Sequence, residues 1–195
     1  MSPRILTYPA LAGTVRALPP SCGPVRVVAV DGPSGAGKST FATLLADALH
    51  GAPVVRSDEF PVPWDGDPLA WWPVLAERIL TPLSAGLAAR HRPYDWRRGE
   101  YGPTVDIPVG PVLIIEGVGA GRRDAPAAYR IWVEAPREVR LRRVNRRDGT
   151  ELVASWDTWS RREHEHFTAD GTRERADLLV DGAAGHRPGI CLLTS

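Results

Sequence analysis

The residues Gly32-Pro33-Ser34-Gly35-Ala36-Gly37-Lys38-Ser39 fit the pattern G-x-x-x-x-G-K-[ST], a loop that cradles phosphate groups. Lys38 is the single lysine of the chain, and every other basic residue among the 24 is arginine. Lysine is thus kept at the one place where a thin, flexible ammonium must reach between phosphates. The glycines let successive backbone N–H groups turn toward one centre and bind anionic oxygens as a nest. A helix starting near Lys38 adds unpaired first-turn donors and the positive end of its dipole. This predicts a nucleotide site built from Gly32, Ser34, Gly35, Ala36, Gly37, Lys38, Ser39 and Thr40. Lys38 would bridge the β- and γ-phosphates, the Ser39 hydroxyl would hold Mg²⁺, and Thr40 would contact the α-phosphate. ATP and Mg²⁺ are the expected cofactors. The bland alternative is a glycine-rich turn that binds nothing.

Two carboxylates follow apolar runs and so belong at strand ends. Asp58 comes directly after Pro53-Val54-Val55-Arg56-Ser57, and Glu116 closes Pro111-Val112-Leu113-Ile114-Ile115. A carboxylate in the first place can take the proton of a substrate hydroxyl or help hold Mg²⁺. Glu116 occupies the place where phosphate-loop proteins carry an acid that orients Mg²⁺ or its water. A capping aspartate and an incidental surface glutamate are the competing accounts.

The stretch Arg137 to Asp148 packs six arginines into one short helical segment. Arginine forks match phosphate oxygens and can offset the charge that develops on a transferring phosphoryl group. A solvated helix face suits most of these arginines, and one or two are expected to act as a lid. Tyr94-Asp95-Trp96-Arg97-Arg98, with Trp64, Trp71 and Trp72, could line an acceptor pocket, since aromatic faces stack on planar rings. Core packing is the alternative for the tryptophans. His164 and His166 flank Glu165 with no metal-ligand set nearby, so they read as exposed helix residues.

The elements that position these groups follow from hydrophobic patterning. Residues 25–31, 53–56, 111–116, 129–134 and 176–181 read as strands. Helices are expected over 10–18, from 38 to about 49, over 71–87 with a break near Pro82, over 137–147 and over 150–168. Residues 61–73, rich in Pro, Trp and Asp, suit a loop over a site, and 91–109 hold short extended pieces. Strands alternating with helices predict a parallel sheet covered on both faces, with ligands beyond the strand C-terminal ends. The 195 residues make one domain: an N-terminal extension over 1–24, an acceptor-binding insert over about 58–109, and a lid over about 137–168.

Hydrophobic residues make up 43% of the chain, as in ordinary globular proteins, and the formal net charge is +1. No global field favours nucleic acid or an anionic membrane. No apolar run approaches bilayer length. Cys22 and Cys191 lie near opposite ends without metal-ligand spacing, which suits reduced thiols in the cytoplasm.

Taken together, the motifs resemble the uridine kinase-like branch of the phosphate-loop kinases, the group of uridine–cytidine kinase, phosphoribulokinase and bacterial pantothenate kinase. The matching pieces are Asp31 to Thr40, Ser57-Asp58-Glu59-Phe60, Tyr94-Asp95-Trp96, Ile115-Glu116-Gly117 and the run Arg140 to Asp148. They span about residues 25–150 in the family's order. The resemblance implies a P-loop NTPase fold, a three-layer αβα sandwich on a five-stranded parallel sheet with an arginine-rich lid. It also implies transfer of the γ-phosphoryl of ATP to an acceptor hydroxyl. It casts Lys38, Asp58, Arg143 and Arg147 as catalytic, Asp58 being the base, and Ser39 and Glu116 as the metal side. The acceptor would meet Asp58, Phe60, Tyr94, Asp95, Trp96 and Arg97. Where uridine kinases carry a His and an Arg that read the nucleoside, this chain has Gly99 and Tyr101.

Three functions compete at this level. The leading one is an ATP-dependent small-molecule kinase acting on a nucleoside-like or similar polar alcohol, binding neither nucleic acid nor membrane and compatible with a homodimer. The second is a nucleotide-binding regulatory protein without productive transfer. A nucleoside monophosphate kinase is the third, with Arg97 and Arg98 as contacts to a second phosphate.

Overall fold

A computed structural model describes residues 4–149, 153–184 and 189–193. The chain begins with β1 (Arg4–Leu6) and α1 (Tyr8–Ala17), whose first turn is capped by Thr7 Oγ1 accepting from Ala10 N. β2 (Arg26–Asp31) runs into the phosphate loop and α2 (Lys38–Ala48), then β3 (Val54–Arg56) and a 3₁₀ turn (Ser57–Glu59). After an irregular stretch come α3 (Trp72–Leu75), a π-helical turn (Ala76–Leu80) and α4 (Thr81–Ser84). The short strands β4 (Ala89–His91), β5 (Tyr94–Asp95), β6 (Glu100–Tyr101) and β7 (Val105–Ile107) complete the insert. β8 (Val112–Glu116), β9 (Ala127–Glu134), α5 (Arg137–Asp148), α6 (Val153–Asp170), β10 (Leu178–Asp181) and β11 (Ile190–Leu192) close the chain.

The main sheet has the order β1-β11-β10-β9-β2-β8-β3. Its five strands from β10 to β3 are parallel, as expected. The sheet nevertheless has seven strands, not five, because β1 and β11 add antiparallel at the β10 edge. Each is three residues long, too short to show an alternating pattern in sequence.

Both faces of the central strands are buried, which explains their continuous apolar runs. Val28 and Val30 face a core with Leu11, Val15, Phe41 and Leu45 of α1 and α2. The alternate residues Val27 and Ala29 face Trp71, Leu75, Ile79 and Leu83 on the other side. Helices therefore cover both sides and make three layers. Helical structure continues through Pro82, and the π-turn just before it takes up the disruption expected at that proline.

Register places the chemistry. Val30 pairs with Glu116 and Arg56 with the same Glu116, so β2, β8 and β3 end level with one another. Asp31, Glu116 and the Asp58 turn then share one sheet edge. In the insert, β4 pairs with β7 and β5 with β6, both antiparallel.

Candidate active site

The phosphate loop leaves β2 at Asp31, whose buried carboxylate accepts from three backbone donors. Oδ1 takes Gly32 N at 2.7 Å and Gly119 N at 3.0 Å, and Oδ2 takes Gly121 N at 2.8 Å. Asp31 thus ties the start of the loop to the turn after Glu116. Burial pushes its carboxyl up to about 7, opposed by those donors and by the Lys38 charge.

Gly37 caps α2 and offers no side chain to the helix's first N–H groups. Lys38, 7% exposed, donates from Nζ to Pro33 O at 3.2 Å. This donor set, one ammonium and an uncapped helix end, suits a chain of phosphates. The Ser39 side chain lies near the Glu116 carboxylate and favours its charge. Burial raises the Glu116 carboxyl above its usual range, Lys38 opposes this, and the nearby Asp58 charge reinforces it. No cluster of three His, Cys, Asp or Glu side chains that could hold a metal occurs among the described residues. The Ser39 hydroxyl and the Glu116 carboxylate are the oxygens near Lys38 that could hold a Mg²⁺ ion together with phosphate oxygens.

Asp58 projects from the 3₁₀ turn with its side chain 72% exposed. Its backbone O accepts from Trp96 Nε1 at 2.7 Å, joining the turn to the insert. A shallow cavity of about 410 Å³ lies beside it, lined among others by Pro93, Tyr94, Asp95, Trp96, Arg97 and Val105. Tyr94 meets Trp96 and Tyr101 edge-on at 5.1 and 5.3 Å. Asp95 Oδ1 is occupied by its own turn, accepting from Arg97 N and Arg98 N. Phe60 departs from its expected acceptor role. It is 3% exposed, stacked on His91 and packed against Trp71, and does not line the cavity. Trp71 and Trp72 are also core residues, donating from Nε1 to Val118 O and Gly119 O.

α5 lies directly on the phosphate loop. A Cβ at Gly35 would sit 2.7 Å from Arg140 O, so only glycine admits this approach. Arg143 donates to Gly35 O, Ala36 O and Gly182 O, so it fastens α5 to the loop. Arg147 extends to Asp58, with Nη1 4.0 Å from Oδ2.

α6 supplies residues that sequence reasoning missed. Glu163, 2% exposed, accepts from Ser34 N at 3.0 Å and faces Arg140 Nη1 at 3.3 Å. Trp159 Nε1 donates to Ser34 Oγ, and Trp64 packs edge-on against Trp159. Burial pushes the Glu163 carboxyl up, with Lys38 pulling it down. Trp156, Trp159, Glu163 and Phe167 recur at three- and four-residue spacing, a helical face visible in the sequence. His166, expected on an exposed face, is half-buried against the 117–121 turn, and burial lowers its imidazole pKa. His164 is exposed.

Comparison with solved structures finds this architecture again. A protein from Bacillus stearothermophilus described as a possible uridine kinase superposes with a TM-score of 0.65 at 19% identity, over 88% of this chain and 96% of that one. A protein from Silicibacter sp. TM1040, assigned as a fructose transport system kinase, gives 0.58 at 24% identity, over 89% and 98%. The chain shares the fold of these two proteins. No protein-family model matches the sequence, and no curated protein matches it. No helix among the described residues is long and apolar enough to cross a membrane.

Proposed function

We propose that this chain is an ATP-dependent phosphotransferase that acts on the hydroxyl of a small polar molecule. The observation that carries the reading is convergence at one sheet edge. Lys38 and Ser39 open α2, Ser39 lies near Glu116, and Asp58 lies near enough for its charge to act on Glu116. Lys38 and the first amides of α2 bind the phosphates of ATP and orient them. A Mg²⁺ ion there would supply positive charge against the charge that develops on the phosphates. Glu116 and Ser39 would hold it. Asp58 accepts the proton of the acceptor hydroxyl as its oxygen bonds to the γ-phosphorus, and the bond to the β-phosphate oxygen breaks to release ADP. Arg147, beside Asp58, is placed to meet the charge on the moving phosphoryl group.

The cavity walled by Tyr94 and Trp96 supports an acceptor with a flat or partly apolar body and a hydroxyl arm. Uridine and cytidine are one class to try. Gly99 and Tyr101 stand where a nucleoside-reading His and Arg would be, and this favours a different polar alcohol.

The test is acceptor-dependent ADP release over nucleosides, pantothenate, sugars and aminoglycosides. One acceptor class is expected to raise ADP formation well above the rate without acceptor. Equal ADP formation with every acceptor and with none would refute the reading and favour nucleotide-dependent regulation. Asp58→Asn is expected to lower turnover about 10²-fold while ATP still binds.

A further inference from the structure

His91 places a polar ring where the fold calls for an apolar one. It sits on β4, is 4% exposed and stacks on Phe60 with ring centroids 4.7 Å apart. Its strand neighbour Ala89 belongs to the apolar core that Phe60, Trp71 and Leu75 also build. A purely apolar side chain would fill this position without leaving a buried nitrogen to satisfy. Among the described residues, Nε2 faces Glu59 Oε2 at 3.2 Å. The approach is off-line, short of a well-aligned hydrogen bond.

Glu59 is the residue after Asp58. Its other oxygen lies 3.8 Å from Arg56 Nη1, and Arg56 Nε lies 4.0 Å from Glu116 Oε2. Arg56 Nη2 also donates to Thr43 Oγ1 on α2 at 3.2 Å. The turn that carries Asp58 is therefore gripped on both flanks. Arg56 ties its beginning to the metal-side carboxylate and to the helix of the phosphate loop, and Glu59 ties its end to the insert. Between them the turn closes on one backbone hydrogen bond, Phe60 N to Ser57 O at 3.1 Å. Such a short turn is soft, and its side chains go where its flanks are held.

We propose that Glu59 and His91 form a positioning pair, holding the Ser57–Glu59 turn against the insert so that Asp58 meets the hydroxyl of an acceptor bound there. The proposal rests on the phosphotransferase reading above. Neither residue touches the reacting atoms. Their contribution is geometric, and a misplacement of about 1 Å at a reacting group can cost 10²-fold in rate.

His91→Phe keeps the ring that stacks on Phe60 and removes the nitrogen. Glu59→Ala removes the carboxylate, and Glu59→Gln keeps an oxygen for Nε2–H. Binding of a non-hydrolysable ATP analogue and thermal unfolding show that each variant is folded. The expected result is a kcat lowered by about 10- to 100-fold in His91→Phe and Glu59→Ala, with KM for ATP unchanged. The double variant should lose no more than the worse single, and Glu59→Gln should recover much of the rate. Variants within about twofold of the parent kcat, or losses that multiply in the double variant, would overturn the pair. A parent protein without acceptor-dependent turnover overturns the phosphotransferase reading and this proposal with it. An active parent with unaffected variants removes only the positioning role.

Discussion

Arg147 Nη1 stands 4.0 Å from Asp58 Oδ2, so the far end of α5 reaches across the mouth of the site to the turn after β3. The near end of the same helix is fastened to the phosphate loop through Arg140 and Arg143. One helix thus spans the phosphate loop and the Asp58 turn. Both partners are more than half exposed, and such pairs contribute little to stability. The contact therefore matters for charge at the site more than for folding.

Replacing Arg147 by alanine should separate those two roles. Turnover is expected to fall about tenfold or more, because an arginine that meets developing phosphoryl charge is worth at least that. The unfolding temperature should stay at the parent value. Initial rates and calorimetric melting on the same preparation check both halves. An unchanged rate would remove Arg147 from the site's chemistry.

Glu116→Gln tests the metal side. Burial already opposes the Glu116 charge, so the amide should be tolerated by the fold. The Ser39 partnership would persist in weaker form. Turnover should drop about 10- to 100-fold, and the Mg²⁺ concentration for half-maximal rate should rise, as when a group that holds a metal loses its charge. A Mg²⁺ titration of initial rates at saturating ATP gives the answer.

Asp31 makes a prediction about pH. Its folded carboxyl lies at about 7, above the ordinary aspartate value of 3.8, so the folded state holds the proton more tightly than the unfolded one. The sign follows: the Asp31 contribution to stability is complete below the unfolded value, falls as pH rises through the folded one, and is level above about 7. Comparing denaturation midpoints of the parent and Asp31→Asn from pH 4 to 8 isolates it. Relative to the variant, the parent should lose stability across that window. At neutral pH Asp31→Asn should also be less stable overall, by about 1–3 kcal/mol, since an NH₂ in place of one oxygen cannot accept and leaves either Gly121 N–H or the Gly32 and Gly119 N–H groups unpaired.

The five parallel strands, the phosphate loop and both carboxylates were legible because each depends on local pattern. A buried run of β-branched residues means a central strand, and a glycine-spaced lysine means a loop before a helix. The insert could be read only as short extended pieces, since β5 and β6 are two residues each. Arg143 was read as a lid group, yet it binds loop carbonyls. A sequence shows that arginines cluster but not which carbonyls a folded helix brings within their reach. Glu163 was missed, and Asp31 was seen only as the start of a matching stretch, for a related reason. Each accepts from backbone N–H groups far along the chain, and those donors leave no mark in residue type.

Gly182 offers a test of the loop from outside the motif. It follows β10, donates its N–H to Glu134 O at 2.8 Å and accepts from Arg143 Nη2 at 2.8 Å. A Cβ there would lie 2.0 Å from Ala36 O, a backbone atom of the phosphate loop. The contact is therefore relieved only if the loop or the end of β10 moves. Gly182→Ala should weaken binding of an ATP analogue by about tenfold or more, since the loop amides work only when aligned on the phosphates. Gly13→Ala is the control. Gly13 lies inside α1 with nothing within 4 Å of the added Cβ. That change should raise stability by about 0.5–1 kcal/mol and leave nucleotide binding alone. Titration calorimetry with the analogue separates the two, because an effect of Gly182→Ala transmitted through general stability would appear in unfolding and not as a specific loss of affinity.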